Sequence, residues 1–271
     1  MTNTQVTHIQ IDNYGPWTVT PEPRREVDLQ TLQSRLFADL SQLFGNRDAY
    51  VFFTRFDNMI AVSNGVDLDD HALIQESVAN RYPVTMSLSV ATGTTPAEAL
   101  GTATEQLQAA GSAQDEHRRE ILKGRVVDEE FRTDEDVQIA HFDVNDATEK
   151  YTDQLNEFDT FIQIEQGYAE LMRHMRRAHD SLAFFVGGDN VIVSGAGRSR
   201  LPGGDRSRPG DRRRRTEGRC RPGWRRRRRR NHCQARPRRV PGDRRRRHDR
   251  VLTVQSLLFE RGGYKRSAGS F

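Results

Sequence analysis

Apolar and polar positions alternate with two different periods along the first 195 residues, and the changes of period mark the elements. Val6-Thr-His-Ile-Gln-Ile11 alternates and stops on Asp12, which predicts a strand carrying a carboxylate at its C-terminal end. Tyr14-Gly-Pro-Trp-Thr-Val-Thr-Pro-Glu-Pro23 reads as a loop. Leu29, Leu32, Leu36, Leu40 and Leu43 then recur at helical spacing, and Gly45-Asn46 closes that helix. Tyr50–Phe53 and Met59–Val62 read as strands joined by the tight turn Arg55-Phe-Asp-Asn58. A helix is predicted over Asp69–Arg81, a strand over Val84–Val90, and a helix over Thr95–Ala110 with Thr94 or Thr95 as cap and Pro96 in its first turn. The order β-α-β-β-α-β is that of the ferredoxin-like split unit.

Residues 111–136 are polar and suit a connection, after which the pattern restarts. Val137–Phe142 is a strand ending on Asp143. A long helix is expected from Thr148 to His179, with Leu155, Phe158, Ile162, Leu171 and Met175 inward. Leu182–Val186 and Val191–Val193 are strands around Gly187-Gly-Asp-Asn190. Phe52-Phe-Thr-Arg-Phe-Asp-Asn-Met-Ile-Ala-Val62 aligns without a gap with Phe184-Phe-Val-Gly-Gly-Asp-Asn-Val-Ile-Val-Ser194. The strand-end and hairpin aspartates are 57 − 12 = 45 residues apart in the first copy and 189 − 143 = 46 in the second. The fold class that follows is α/β (α+β), two ferredoxin-like units in tandem. The first covers residues 1–125, and a partial second covers 126–197.

Charge divides the chain at the same place. Residues 1–197 hold 15 Lys+Arg and 32 Asp+Glu, a net of −17; residues 198–271 hold 27 and 6, a net of +21. The acidity of the first part suits a cytoplasm rich in salt, where dense carboxylates are screened. The start of the chain lacks a signal-peptide layout, and no apolar run spans a bilayer, so a cytoplasmic protein without membrane contact is expected. Both cysteines, Cys220 and Cys233, fall in the basic part, so no thiolate zinc site supports the fold. Residues 198–250 contain 24 Arg and no Lys, with runs at 212–215, 225–230 and 244–247 and no apolar period. Such a stretch is expected to be disordered. Arginine runs neutralise phosphates, which leaves a nucleic-acid-binding arm as a non-enzymatic alternative. Arginine without lysine is also what a GC-rich gene yields when read out of frame, and 198–271 is expected to be such a product, with no specific nucleic-acid partner.

The duplicated aspartates carry the candidate chemistry. In a ferredoxin-like sheet the first strand neighbours the central hairpin, so Asp12 is expected to converge with Asp57, and Asp143 with Asp189. Paired carboxylates at a strand edge suit Mg2+, which binds through one or two carboxylates plus substrate phosphates. Gly187 and Gly188 leave room for a phosphate near the backbone, and Arg55, expected at the place of Gly188, can reach a phosphate by a charge-assisted bond. Asn13, Asn58, Gln114 and Asp115 are candidates for the amide-type contacts that guanine needs, with Asn190 beside the second hairpin. His8 and His141 lie in the two first strands and read mainly as packed residues. His71, His117 and His174 fall on helical patterns and are expected to be solvated.

Gly187-Gly-Asp-Asn190 resembles the signature hairpin of GGDEF-type and class III nucleotidyl cyclases. Longer strings resemble archaeal GTP cyclohydrolase III from Met1 to about Gly195: Ile9-Gln-Ile-Asp-Asn-Tyr-Gly-Pro-Trp-Thr-Val-Thr-Pro21, Leu32-Gln-Ser-Arg-Leu36, Thr54-Arg-Phe-Asp-Asn58, Ile74-Gln-Glu-Ser77, Asn80-Arg-Tyr-Pro83, Gly111-Ser-Ala-Gln-Asp-Glu116 and Gln138-Ile-Ala-His141. The resemblance implies opening of the imidazole ring of GTP, loss of two phosphates and formation of 2-amino-5-formylamino-6-ribosylamino-4(3H)-pyrimidinone 5′-phosphate. It also implies dependence on Mg2+, activation by K+, a role at the entry to riboflavin and deazaflavin synthesis, and a homo-oligomer when intact. A nucleotidyl cyclase acting on GTP is the enzymatic alternative. The second unit stops after its hairpin, so the chain as written is expected to be impaired.

Overall fold

The computed structural model describes residues 3–126, 137–144 and 146–195, and the backbone of 252–258. It is a mixed α/β structure with two sheets. β1 (Thr4–Ile11), β2 (Tyr50–Arg55), β3 (Asn58–Val62), β4 (Met86–Gly93) and β5 (Leu122–Gly124) form the first, in the order β2-β3-β1-β4-β5. β6 (Gln138–Val144), β7 (Leu182–Gly187), β8 (Asn190–Gly195) and β9 (Leu252–Leu258) form the second, in the order β7-β8-β6-β9. The helices are α1 (Tyr14–Val19), α2 (Glu26–Gly45), α3 (Leu68–Arg81), α4 (Pro96–Gln108) and α5 (Glu157–His179), with a single π turn at Thr148–Thr152.

Strand alternation decides which helix covers which face. Ile9, Ile11, Val51, Met59, Ala61 and Leu88 put one face of the first sheet against Leu36, Leu40 and Phe44 of α2 and Ile74 and Val78 of α3. The stripe predicted for α2 holds at Leu36 and Leu40, whereas Leu29, Leu32 and Leu43 flank it half-buried. α3 and α4 begin as their sequences dictate. The Asp67 carboxylate accepts the Asp70 N–H at 2.7 Å, and Thr95 Oγ1 accepts the Glu98 N–H at 3.1 Å while the Glu98 carboxylate accepts the Thr94 N–H.

The two sheets meet through equivalent positions. Phe52, Ile60 and Val62 of the first sheet form one core with Leu182 and Phe184 of the second, together with Val6 and with Ala97 and Ala99 of α4. The rings of Phe52 and Phe184 stack at 4.1 Å between centroids and 5° between planes. Both sit at the same step of their hairpins, opposite Ile60 and Ile192. A contact between a residue and its own counterpart is the mark of a two-fold relation.

Several expectations change. The 111–136 segment is more than a connection: β5 pairs parallel with β4, Leu88 opposite Leu122. The Tyr14–Pro23 loop contains α1. The long helix breaks into the π turn and α5, and Leu155, Phe158 and Ile162 are exposed while Leu171 and Met175 are buried. In the N-terminal half of α5 the buried positions are Thr160 and Ile164, not Phe158 and Ile162. Residues 252–258 of the basic part form β9, antiparallel to β6 as β4 is to β1. The remaining residues between 196 and 271, including the arginine runs, lie outside the described residues, as does most of 126–136.

Candidate active site

Both hairpins turn the chain at the same place. Each has a bulge after its second phenylalanine, and Arg55 pairs with Asn58 as Gly187 pairs with Asn190. Arg55 therefore stands at the place of Gly187, not of Gly188, whose counterpart is Phe56. Gly187 at φ +113° and Gly188 at φ +62° need the freedom of glycine, and a Cβ at Gly187 would meet only open space.

The register on the first strands shifts the aspartates. His8 lies opposite Ile60 and His141 opposite Ile192, so the histidines are equivalent. One step along this face, Gln10 lies opposite Asn58 and Asp143 opposite Asn190. Asp143 is thus the counterpart of Gln10, two residues short of the place of Asp12. The left-handed residues that end the two strands agree: Asn13 at φ 50° and Asp146 at φ 57°.

This shift gives the two aspartate sets different chemistry. Asp143 and Asp189 are hydrogen-bonded carboxyl to carboxylate, and burial, then the contact with Asp189, pushes the Asp143 pKa up to about 6. Two carboxylates in contact share a proton or hold a cation. Asp12 is instead enclosed. Its carboxylate accepts from Thr85 Oγ1 at 2.9 Å, Ser87 Oγ at 2.6 Å and the Glu120 N–H at 2.8 Å, and the buried Arg118 guanidinium lies 3.6 Å away. Asp57 stands outward beside Arg55 at 3.8 Å. The structure brings Asp143 and Asp189 together and does not join the Asp12 side chain to Asp57, although the Ile11 N–H donates to the Asp57 carbonyl at 3.0 Å.

Where Asp143 has its carboxylate partner, Gln10 has an amide one. Gln10 Nε2 and His8 Nε2 each lie 3.1 Å from Asn58 Oδ1, and Thr104 Oγ1 lies 3.4 Å from His8 Nδ1. Burial holds the His8 imidazole below its ordinary pKa, so it is neutral at pH 7. These groups border a cavity of about 620 Å³ between the sheet, α4 and the Gly111–Ala113 loop, with Arg55 also in its wall. Of the other guanine candidates, Asn13 is tied by its N–H to the Ala113 carbonyl at 2.6 Å, Gln114 lies against Gly15, and the Asp115 carboxylate caps the His117 N–H at 2.9 Å. Asn190 Nδ2 reaches the Gly187 carbonyl and Asp189 Oδ1 at 3.4 and 3.3 Å.

His71, expected in solvent, is fully buried, with Nε2 2.7 Å from Thr7 Oγ1 and Nδ1 against the Asp67 carbonyl. His117 is exposed but lies in a turn. The buried Thr7 and Ser63 opposite α3 are the signal that could have placed His71 inside. No described helix is long and apolar enough to cross a membrane.

A family model described as GTP cyclohydrolase III matches residues 6–200. A GTP cyclohydrolase III of Natronomonas pharaonis is 78% identical over 193 residues, covering 71% of this chain and 76% of that protein. GTP cyclohydrolase III 1 of Halobacterium salinarum is 70% identical with the same coverage, and the Methanocaldococcus jannaschii protein is 52% identical over 195 residues, covering 72% and 71%. A solved GGDEF domain from Pseudomonas aeruginosa is similar at 14% identity and TM-score 0.36, covering 45% of this chain and 80% of that one. The matched span contains the repeated hairpins, the Asp143–Asp189 pair and the amide-lined cavity, and on that span the chain belongs to the GTP cyclohydrolase III family.

Proposed function

We propose that this chain carries the machinery of a GTP cyclohydrolase that opens the imidazole ring of GTP, removes two phosphates and leaves the formylaminopyrimidine ribotide. Family membership over residues 6–200 supports the reaction, and the Asp143–Asp189 pair carries its location. Two hard oxygen donors in contact at a sheet edge fit Mg2+; the enclosed Asp12 fits it poorly, because its oxygens already accept three hydrogen bonds. Bound there, Mg2+ neutralises charge on the triphosphate and polarises a phosphoryl oxygen. Asp143 and Asp189 hold the ion, and the open backbone at Gly187 admits a phosphate. Arg55, three-quarters exposed, is free to swing onto another phosphate oxygen. K+ is a further expected activator. GTP and other copies of the chain are the expected partners, and the cytoplasm the expected place.

The finer architecture belongs to the same reading: two tandem ferredoxin-like units, 1–125 and 126–197, followed by an out-of-frame segment, 198–271. Within residues 126–197 the strand order β2-β3-β1 recurs as β7-β8-β6, which supports the tandem. The family match ends at residue 200, and about a quarter of the N. pharaonis relative has no counterpart here. Among the described residues α5 is the one helix of the second unit packed on its sheet, whereas the first unit packs α2, α3 and α4 on its own. The chain as written is therefore impaired in turnover. Restoring the frame by one base near codon 195 should replace 198–271 with an acidic segment holding a helix and a strand. The restored protein should form the formylaminopyrimidine from GTP and Mg2+ much faster than this chain. Equal rates would overturn the truncation reading, and a cyclic nucleotide product would overturn the reaction.

A further inference from the structure

We propose that α5 pairs antiparallel with α5 of a second copy of this chain, through an apolar stripe that its own sheet leaves uncovered. The inference narrows the expected homo-oligomer to one face and does not depend on the reaction. α5 carries two stripes. Thr160, Ile164, Leu171 and Met175 are buried. Of these, Leu171 and Met175 join Ala140, Phe142, Val191 and Val193 in the core of the second sheet. Phe158, Phe161, Ile162 and Met172 are exposed on another side of the helix, Phe158 by 70% and Phe161 by 48%. Positions 158, 162, 165, 169, 172 and 176 are separated by alternating steps of four and three, the spacing of a seam that faces another helix. Large apolar side chains gathered along one flank mark an interaction surface, unlike the single exposed residues of an ordinary surface.

Charge selects the occupant and its direction. The charged residues from Glu157 to Glu170 are all acidic: Glu157, Asp159, Glu165 and Glu170. From Arg173 to His179 they are all basic: Arg173, Arg176 and Arg177, with no carboxylate among them. The helix dipole favours acids in the first turn and bases in the last, but Glu165, Glu170 and Arg173 lie beyond its reach. A helix acidic in one half and basic in the other is complementary to a reversed copy of itself, which is the arrangement of a two-fold contact. With the two-fold axis at the middle of the stripe, Ile162 lies opposite the partner's Met172, and Glu165 opposite the small side chain of the partner's Ala169. Phe158 and Phe161 lie opposite the partner's Arg176 and the partner's Arg173, which sets a guanidinium over each ring. Glu157 meets the partner's Arg177. In this chain Arg176 reaches Asp180 at 2.9 Å, and both remain exposed. Exposed charge pairs add little affinity but fix direction, and a parallel pair would set like charge against like.

The test is sedimentation equilibrium of the full chain in about 1 M salt, where charges are screened beyond about 3 Å and the arginine-rich part does not hold copies together. The chain should be a dimer. Ile162→Glu and Met172→Glu should each weaken dimerisation at least tenfold and leave the far-ultraviolet circular dichroism unchanged, since both side chains are already exposed. Disulfide trapping reads the direction. In a background of Cys220→Ser and Cys233→Ser, Ile162→Cys combined with Met172→Cys should give a covalent dimer on oxidation, and neither alone should. In the antiparallel pair the two copies of position 162 are 172 − 162 = 10 residues apart along the helices. That is about 15 Å, beyond the ~7 Å that a disulfide spans between Cα atoms. A monomer, a dimer unaffected by Ile162→Glu and Met172→Glu, or a covalent dimer from Ile162→Cys alone would overturn the proposal. Neither GTP nor metal enters these assays, so their failure leaves the proposed reaction standing, and a protein that never opens GTP leaves the contact standing.

Discussion

At the scale of single residues, burial separates side chains that the sequence writes alike. Asp12 and Asp143 both follow a strand pattern, yet one is enclosed by Thr85, Ser87, Glu120 and Arg118 and the other faces a second carboxylate. Asp12→Ala would leave the Arg118 guanidinium buried without its counter-charge, and breaking a buried pair from one side costs about 3–5 kcal/mol. Chemical denaturation should show that loss, and the double variant with Arg118→Met should recover part of it. His71 makes a pH-dependent contribution. Burial lowers its pKa below the unfolded value, so the neutral ring is favoured in the fold. That contribution is complete above about pH 6.5, the unfolded value, and is lost as pH falls below it toward the folded pKa. The stability difference between this chain and His71→Gln should therefore be larger at pH 7.5 than at pH 5.5. A difference that does not change with pH would mean that His71 does not stay neutral in the fold. None of this was legible from spacing: His71 falls on a helical pattern like any solvated histidine, and the Thr7 hydroxyl and the Asp67 carbonyl that meet its two ring nitrogens make its burial tolerable.

At the scale of elements, much was legible because local chemistry decides it. The caps at Thr95 and Pro96, the stripe at Leu36 and Leu40, and the repeated Phe-Phe-x-x-x-Asp-Asn hairpin each follow from a few neighbouring residues. Register was not legible. Spacings of 45 and 46 residues made Asp12 and Asp143 look equivalent, but pairing across β3 and β8 aligns Asp143 with Gln10. The helix between strand and hairpin can absorb a residue or two without trace in the count, whereas a ladder cannot. β5 was missed because three residues, Leu122–Gly124, are too few to establish a period. The element-level prediction concerns the join of the two sheets. Phe184→Ala should lower stability by about 3–5 kcal/mol, the range for a truncated core phenylalanine. A double-mutant cycle with Phe52→Ala should show coupling of about 0.5–1.5 kcal/mol beyond the buried area. Additive losses would mean that the stacked rings do not hold the halves together.

At the scale of the whole molecule, the two halves share a strand order and a hairpin and differ in what they present at the equivalent places. The resemblance strings pointed to the family before any geometry was known, since they are long and ungapped. They could not say which aspartate pair is free, because that depends on Arg118 and Glu120, which lie in a segment without a recognisable pattern. The central claim is that Asp143 and Asp189 form the working pair. The measurement that tests it most directly is GTP turnover with Mg2+ by the frame-restored protein and its Asp189→Asn and Asp57→Asn variants, followed as formylaminopyrimidine. Asp189→Asn should lower the rate at least tenfold and weaken Mg2+ dependence, with Asp57→Asn falling less. A restored enzyme that tolerates Asp189→Asn but loses its turnover and Mg2+ dependence with Asp57→Asn would place the chemistry at the first hairpin and contradict the account.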